Sequence, residues 1–294
     1  MGHSHNHNHH IDPSKLGETR LMWAVAANML LTVAQVIGGV VSGSLSLIAD
    51  ALHNFSDAAS LLIALVAIKI GKKPPDQLKT FGYKRAESVA ALINLTTLII
   101  IGLYLVYEAL WRFFMPEPII GWMVVIVAGI ALVVDVFTAM LTYAQSKHSM
   151  NMRAAYLHNL TDAMASVGVI IAGSLIILYG WIWVDAAMTL LIAGYVLWQG
   201  FSEIPKVIHL LMDGAPDGVN IDDVITSMEG VEHVYGVHHV HIWQIDEQRS
   251  ALEAHVIIDK QVDIDKVKLS LKYVLSDVYK INHSTLEFEY ECCH

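Results

Sequence analysis

The chain has 294 residues, of which 55% are hydrophobic and 16% are charged, and its formal net charge is −10. Soluble domains carry roughly 25% charged residues, so this composition indicates a membrane protein. From residue 211 onward, 16 Asp or Glu stand against 6 Lys or Arg, and an acidic excess argues against nucleic-acid binding. The two cysteines are adjacent near the C-terminus and predict no disulfide framework.

Six apolar stretches are long enough to cross a bilayer, which takes about 20 residues. Polar or turn-forming residues separate them, as at 42–44, 73–75 and 116–118. The sequence therefore predicts an all-α bundle of six transmembrane helices. The predicted spans are 21–41, 45–70, 86–114, 119–144, 154–179 and 182–201.

Basic residues predict the orientation of this bundle. Six lie in or beside the connection between the second and third spans, and Lys147 and Arg153 lie beside the fourth connection. The odd-numbered connections carry only Arg112. The positive-inside rule then places the even-numbered connections and both termini in the cytoplasm. We expect a multi-pass protein of the plasma (inner) membrane.

After Pro205 the pattern changes from spanning helices to short, mixed elements. Residues 221–228 and 263–280 have helical spacing, whereas 237–245, 251–259 and 284–290 alternate as strands do. The order α-β-β-α-β predicts a small two-layer α+β domain. We therefore divide the chain into a His-rich cytoplasmic tail, a transmembrane domain and a cytoplasmic metal-binding domain, at residues 1–18, 19–210 and 211–294.

One polar pattern occurs twice inside the apolar spans. The sequence H-N-x-[S/T]-D stands at 53–57 in the second span and at 158–162 in the fifth. Residues four apart share a helix face, so two facing helices would direct two imidazoles and two carboxylates at one point. That tetrahedral set suits Zn²⁺, and ionisable groups within a membrane usually mark ion pathways. The predicted ligands of a transported metal are His53, Asp57, His158 and Asp162.

The paired pattern has four other interpretations. Each pair could be a helix-packing contact or could hold a structural zinc ion, but two matching pairs in separate spans favour transport. An intramembrane metallohydrolase would need a Glu base beside its ligands, as in H-E-x-x-H, whereas Asn follows each His here. A metal sensor with a membrane anchor would not need charged residues in several spans. We therefore expect a transporter and not an enzyme.

Two further intramembrane carboxylates were interpreted separately. Asp135, in the fourth span, is either a proton relay or cavity-lining group, or an aspartate paired with a neighbouring polar side chain. Asp185 lies near the outer end of the sixth span, where helix capping accounts for it. The neighbours considered for Asp135 are Asn28, Gln35 and Asn94.

Three segments resemble hallmarks of the cation diffusion facilitator family, the zinc/proton antiporters: GSLSLIADALHNFSD at 43–57, FGYKRAE at 81–87 and HVHIW at 239–243. The resemblance covers residues 19–291. It implies a homodimer of six-helix protomers with a ferredoxin-like cytoplasmic domain, which exports Zn²⁺ in exchange for protons by alternating access. It assigns the transport role to the four intramembrane ligands. It also implies that His at position 53 favours selectivity for zinc over transport of a wider range of metals. Cd²⁺ and Co²⁺ accept the same ligands.

The resemblance also implies a cytoplasmic metal site. His238, His255 and Glu289 match zinc-binding positions of family members, and His241, His283 and Glu287 lie near them in sequence. Strand alternation predicts that His239 and His241 share one face while His238 points to the other. Cys292 and Cys293 are further metal-ligand candidates, but they are adjacent, whereas family cysteine pairs are spaced by two residues.

The N-terminus carries interspersed histidines, and such tracts bind metal loosely, although an expression tag is the alternative interpretation. We expect this tail to collect zinc on the cytoplasmic side. Imidazole binds metal only when it is neutral, so protons and zinc compete for the same nitrogens near physiological pH. This competition is the chemical basis of the expected antiport. The tail histidines are His3, His5, His7, His9 and His10.

Overall fold

The computed structural model describes residues 29–146, 150–246 and 249–290. Six helices come first in the described chain: α1 (Met29–Ser42), α2 (Leu45–Gly71), α3 (Ala86–Phe114), α4 (Gly121–Ser146), α5 (Met150–Tyr179) and α6 (Trp183–Leu211). The mixed elements follow: α7 (Ile221–Glu229), β1 (Val234–Asp246), β2 (Arg249–Ile258), α8 (Ile264–Asp277) and β3 (His283–Glu289). The order α-β-β-α-β after the long helices is as predicted.

Within these described ranges, four segments are long and apolar enough to cross a membrane, one each in α3, α4, α5 and α6. The protein is therefore a multi-pass membrane protein. Helix α6 continues to Leu211, well past the predicted end of the sixth span at residue 201. The prediction stopped where polar residues begin, but a helix can leave the apolar layer and continue, and Leu210 is buried. The spanning segments are Ala86–Phe114, Gly121–Met140, Tyr156–Tyr179 and Trp183–Leu211.

The chain forms two compact units. The first combines residues up to Leu62 with Thr97–Gly200, and the second combines Ile63–Thr96 with the residues from Phe201 onward. The first unit therefore contains α1, α4 and α5 together with most of α2, α3 and α6. The second contains the connection between α2 and α3, the end of α6 and all of the mixed elements.

Small residues allow close helix packing in the first unit. A Cβ atom added to Gly121 of α4 would lie 2.9 Å from Ile177 Cγ1, and one added to Gly173 of α5 would lie 2.9 Å from Val125 Cγ2. Helices in lipid associate mainly through van der Waals packing, which such residues permit at short range. The α4–α5 pair is therefore tightly interlocked, and the two helices have little freedom to slide against each other.

The turn between α1 and α2 is held by groups from other helices. Asp185 of α6 is 1% exposed, and it accepts hydrogen bonds from the hydroxyls of Ser44 and Ser46, both at 2.6 Å, and from the backbone N–H of Leu45 at 2.8 Å. Arg112 of α3 donates to the carbonyl of Gly43 at 2.5 Å. Asp185 thus caps α2, although it belongs to the first turn of α6. Its negative charge lies at the positive end of the α2 dipole.

The second unit contains a three-stranded sheet of order β1-β2-β3, in which β1 and β2 are antiparallel and β2 and β3 are parallel. Alternate residues of β2 are buried from Leu252 to Ile258, as expected for a sheet with one covered face. Val224 and Met228 of α7 and Leu271 and Leu275 of α8 complete the core of this small α+β domain.

In the same unit, the connection between α2 and α3 has a defined local structure. Asp76 accepts hydrogen bonds from the backbone N–H groups of Leu78 and Lys79 and from the Tyr83 hydroxyl at 2.5 Å. The hydrogen bond from Tyr83 holds the pKa of Asp76 below its usual value. Arg85 donates to Asp213 and, at 3.0 Å, to the carbonyl of Gln244.

The Asp185 cap yields a stability prediction. Asp185→Ala leaves two hydroxyls and the α2 N-terminus without their acceptor, so we expect it to lower the free energy of unfolding by about 2–4 kcal/mol. Denaturant titration of the purified protein in detergent measures this change. The matched control is Glu203→Gln on α6, whose partner Lys206 is solvent-exposed and whose effect should stay within about 0.5 kcal/mol. Equal unfolding curves for Asp185→Ala and the control would show that the cap contributes nothing.

Candidate metal centre

The two H-N-x-[S/T]-D segments meet inside the first unit. His53 of α2 points at Asp162 of α5, with Nε2 and Oδ1 3.5 Å apart, and His158 of α5 points at Asp57 of α2, with Nε2 and Oδ2 3.2 Å apart. Within each helix the His–Asp separations are 3.7 and 3.6 Å. Each imidazole therefore faces both carboxylates, and all four predicted residues converge.

These separations fit a tetrahedral metal site. Ligands bonded to Zn²⁺ at about 2.0–2.2 Å in tetrahedral geometry lie roughly 3.3–3.6 Å from one another. The four observed nitrogen–oxygen distances are 3.2, 3.5, 3.6 and 3.7 Å. Ligand atoms of His53, His158 and Asp162 lie within 4.8 Å of one another. Asp57, whose Oδ2 lies 3.2 Å from His158 Nε2 and 3.7 Å from His53 Nε2, completes the set of four.

Buried carboxylate oxygens without hydrogen-bond donors make a bound cation favourable at this point. The side chains of His53 and Asp162 are about 5% exposed, while those of Asp57 and His158 are 29% and 38% exposed. Among the described residues, neither Asp57 Oδ2 nor Asp162 Oδ1 accepts a hydrogen bond, although both atoms are buried. Buried carboxylate oxygens without donors are costly, and a bound dication would satisfy both of them.

Polar residues from other helices surround the four. Gln35 of α1 donates a hydrogen bond to Asp50 Oδ2 at 2.6 Å and accepts one from the Asn54 side chain at 3.1 Å. The Tyr195 ring of α6 meets the His53 ring edge to face, at a centroid distance of 6.3 Å. Asp50 lies three residues before His53 and therefore on the same face of α2. Its contact with Gln35 has no signal in the sequence, because that pairing depends on how α1 packs.

The structure identifies a hydrogen-bond partner for Asp135. Its carboxylate accepts a hydrogen bond from Ser166 of α5 at 3.0 Å, and its side chain is buried. This contact agrees with the interpretation of Asp135 as an aspartate paired across a helix interface. The partners that had been considered did not include Ser166, which lies one turn beyond Asp162 on α5.

A second cluster of potential ligands lies on the three-stranded sheet of the second unit. His238 Nε2 is 3.0 Å from one oxygen of Glu289, and His255 Nδ1 is 2.6 Å from the other. Their ligand atoms lie within 4.8 Å of one another. The three residues come from β1, β2 and β3, so the sheet must form before they meet. Glu287 Oε2 lies 3.6 Å from His255 Nε2, at the edge of this cluster.

The predicted alternation of histidines along β1 holds for one pair only: the rings of His239 and His241 contact each other at 5.0 Å, as expected for one face, but His238 does not point to the other face. The rings of His238 and His239 both contact the ring of His255, at centroid distances of 5.2 and 4.9 Å. The pairing register shifts between His238 and His241, and His239 has a φ of +52°. A β-bulge at this point adds a residue to the strand and redirects the side chains, which strict alternation does not anticipate.

The remaining candidate ligands are not brought into this cluster or are not described. His241 contacts the His239 ring at 5.0 Å and is exposed, opposite Glu253 on β2. The His283 ring packs against Phe81 at 5.7 Å. Cys292, Cys293 and the N-terminal histidines lie outside the described residues.

Comparison with known proteins shows the family. Residues 21–212 match the model of the cation efflux transmembrane domain, and residues 216–289 match that of the cation efflux protein cytoplasmic domain. A solved structure of the metal-bound C-terminal domain of the CzcD transporter from Cupriavidus metallidurans is 30% identical and covers 24% of this chain and 99% of its own, with a TM-score of 0.23.

Curated relatives match over nearly the full length. The chain is 35% identical to the cadmium, cobalt and zinc/H(+)-K(+) antiporter of Bacillus subtilis, over 99% of this chain and 93% of the relative. It is 34% identical to the zinc transporter ZitB of Escherichia coli, over 100% and 94%. It is 36% identical to the metal cation efflux system protein CzcD of Cupriavidus metallidurans, over 100% and 92%. The chain therefore belongs to the cation efflux family of membrane transporters.

Proposed function

We propose that the protein exports Zn²⁺ from the cytoplasm in exchange for protons, through a single site formed by α2 and α5. The observation that carries this proposal is the convergence of two imidazoles and two carboxylates, with four nitrogen–oxygen distances of 3.2–3.7 Å inside the membrane unit. Relatives of similar length carry the names of zinc transporters and of cadmium, cobalt and zinc antiporters. The ligands are His53, Asp57, His158 and Asp162.

The ligand types determine which metals the site takes. Two nitrogens and two oxygens in a tetrahedral arrangement suit Zn²⁺, and Co²⁺ and Cd²⁺ accept the same set. Mn²⁺ prefers oxygen-rich sites and should be transported poorly. Two carboxylates neutralise the charge of a dication, which lowers the cost of holding it in a medium of low dielectric constant.

The imidazoles couple metal to protons. His53 and His158 bind metal only in the neutral form, so zinc binding on the cytoplasmic side releases protons, and protonation on the other side favours zinc release. The same four side chains then serve both ions in turn. Alternating exposure of the site to the two sides converts this competition into antiport.

The architecture we propose for this function has three parts. Residues 1–18 form a cytoplasmic zinc-collecting tail, residues 19–210 form six spans, and residues 211–294 form a ferredoxin-like cytoplasmic domain through which two copies of the chain dimerise. Helix α2, with 27 residues, is long enough to supply one of the two further spans, and α1 belongs to the other. The protein lies in the plasma (inner) membrane with both termini in the cytoplasm.

The cytoplasmic domain binds a second zinc ion in this proposal. His238, His255 and Glu289 supply three ligands from three strands, and the two imidazole contacts with Glu289, at 3.0 and 2.6 Å, support the assignment. A metal held across three strands would stabilise the sheet, since it binds only the folded arrangement.

Removal of the carboxylate ligands tests the transport site. We expect Asp57→Ala and Asp162→Ala each to reduce zinc flux into proteoliposomes by at least about 100-fold, because each leaves an incomplete ligand set. Circular dichroism of the purified variants checks that they remain folded. Glu203→Ala, an exposed carboxylate on α6, is the matched control and should transport normally. Normal flux in both ligand variants would exclude this site.

An imposed pH gradient tests the coupling. Zinc should enter proteoliposomes faster when the lumen is acidic than when the two sides have equal pH. The reason is that protons displace zinc from the imidazoles on the lumenal side. A fluorescent zinc indicator in the lumen measures the rate. Collapse of the gradient with a protonophore should remove the acceleration. A zinc flux that ignores the gradient contradicts antiport.

The cytoplasmic site is tested apart from transport. In the Asp57→Ala/Asp162→Ala protein, zinc at 100 times its dissociation constant should still stabilise the fold by about 2.7 kcal/mol. Adding His255→Ala should abolish this zinc-dependent rise in melting temperature, whereas adding His233→Ala, on the loop before β1, should leave it unchanged. An equal rise in both proteins would place the second zinc elsewhere.

A further inference from the structure

Two buried polar atoms on one face of α2 have no hydrogen-bond partner among the described residues. They are Oδ1 of Asp50, a side chain that is 1% exposed, and Nδ1 of His53, a side chain that is 6% exposed. Residues three apart on a helix lie on the same face. Asp50 Oδ1 is an acceptor. His53 Nδ1 is a donor in the tautomer in which Nε2 carries the lone pair. They are therefore chemically complementary neighbours.

We propose that Asp50 is a positioning residue for the metal ligand His53. When zinc binds to Nε2 of His53, the Nδ1–H group donates to Asp50 Oδ1, directly or through one water. Histidines that bind metals usually donate their second N–H group to a carboxylate or carbonyl, which fixes the tautomer and makes the ring a stronger ligand. This inference rests on the zinc-transport function proposed above.

Gln35 prepares Asp50 for this role. Its amide donates to Oδ2 of Asp50 at 2.6 Å, and its carbonyl accepts from the Asn54 side chain at 3.1 Å. Gln35 thus holds the residues three before and one after His53, and it occupies one oxygen of Asp50 while leaving the other free. Helix α1, which carries none of the four proposed ligands, is in this way connected to the metal site.

The electrostatic surroundings also favour this pairing. Asp50 is buried, and its Oδ1 has no donor among the described residues. Asp135 has Ser166 as a donor, and Asp162 belongs to the metal site. A buried carboxylate requires a positive partner. On the same face of α2, the His53 imidazole becomes such a partner when it binds a dication.

The two imidazoles of the site would then differ. The residue three before His158 is Ala155, so the α5 motif has no carboxylate at the corresponding position. His53 would be the more firmly oriented ligand and His158 the more adaptable one. The greater exposure of His158, 38% against 6%, agrees with this division.

Transport kinetics test the role of Asp50. Zinc flux into proteoliposomes is measured as KM and Vmax for the wild-type chain and for Asp50→Ala, Asp50→Asn and Gln35→Ala. We expect Asp50→Ala to raise the zinc KM by about 10- to 100-fold, as loss of such a partner typically does. Asp50→Asn keeps an acceptor oxygen without its charge, so its KM should lie between those of Asp50→Ala and the wild type. Gln35→Ala should raise the KM less than Asp50→Ala.

The control is Ser174→Ala on α5. The Ser174 hydroxyl donates to the Ile170 carbonyl of its own helix, so the KM of this variant should equal that of the wild type. A purely structural role for Asp50 would lower Vmax with the amount of folded protein and leave KM unchanged, and that result overturns the inference. If Asp50→Ala does not fold, the nearly isosteric Asp50→Asn decides: a KM within twofold of the wild type is the contrary result. Absence of zinc flux in the wild type would instead reject the proposed function.

Discussion

Charge inside a membrane must be compensated, and this requirement organises the first unit. Asp50, Asp57, Asp135 and Asp162 all lie in apolar helices, where an isolated carboxylate is costly. Each has a defined neighbour: Gln35 for Asp50, Ser166 for Asp135, and the two imidazoles for the other pair. Because these residue pairs join α1, α2, α4 and α5, the polar contacts determine which faces of these helices meet. The apolar residues then fill the remaining space.

Compensation of polar groups also organises the end of the bundle that holds the α1–α2 turn. This end faces outward in the predicted orientation. The α1–α2 turn presents hydroxyls and free backbone N–H groups, and Asp185 accepts four hydrogen bonds from this turn while Arg112 donates to it. The start of α2 is thereby fixed to α6 and α3. His53 and Asp57 lie two to three turns further along α2, so this anchor fixes the end of the helix that is nearer to them.

Much of this molecule could be read from its sequence, for reasons that differ between its parts. The spans follow from hydropathy, and the paired His and Asp residues follow from helical spacing, because both depend on local order. The contacts between Gln35 and Asp50 and between Asp185 and the α2 N-terminus could not be read, since they depend on the packing of helices distant in sequence. The side of β1 on which His238 lies could not be predicted, because a bulge at His239 interrupts the two-residue period.

The glycine contacts between α4 and α5 have a mechanical consequence. Gly121 and Gly173 lie so close to the neighbouring helix that an added Cβ atom would approach Ile177 Cγ1 or Val125 Cγ2 to 2.9 Å. In the transport cycle proposed above, a movement of α5 with His158 and Asp162 would therefore carry α4 with it. Asp135, bonded to Ser166, would move with the same helix pair.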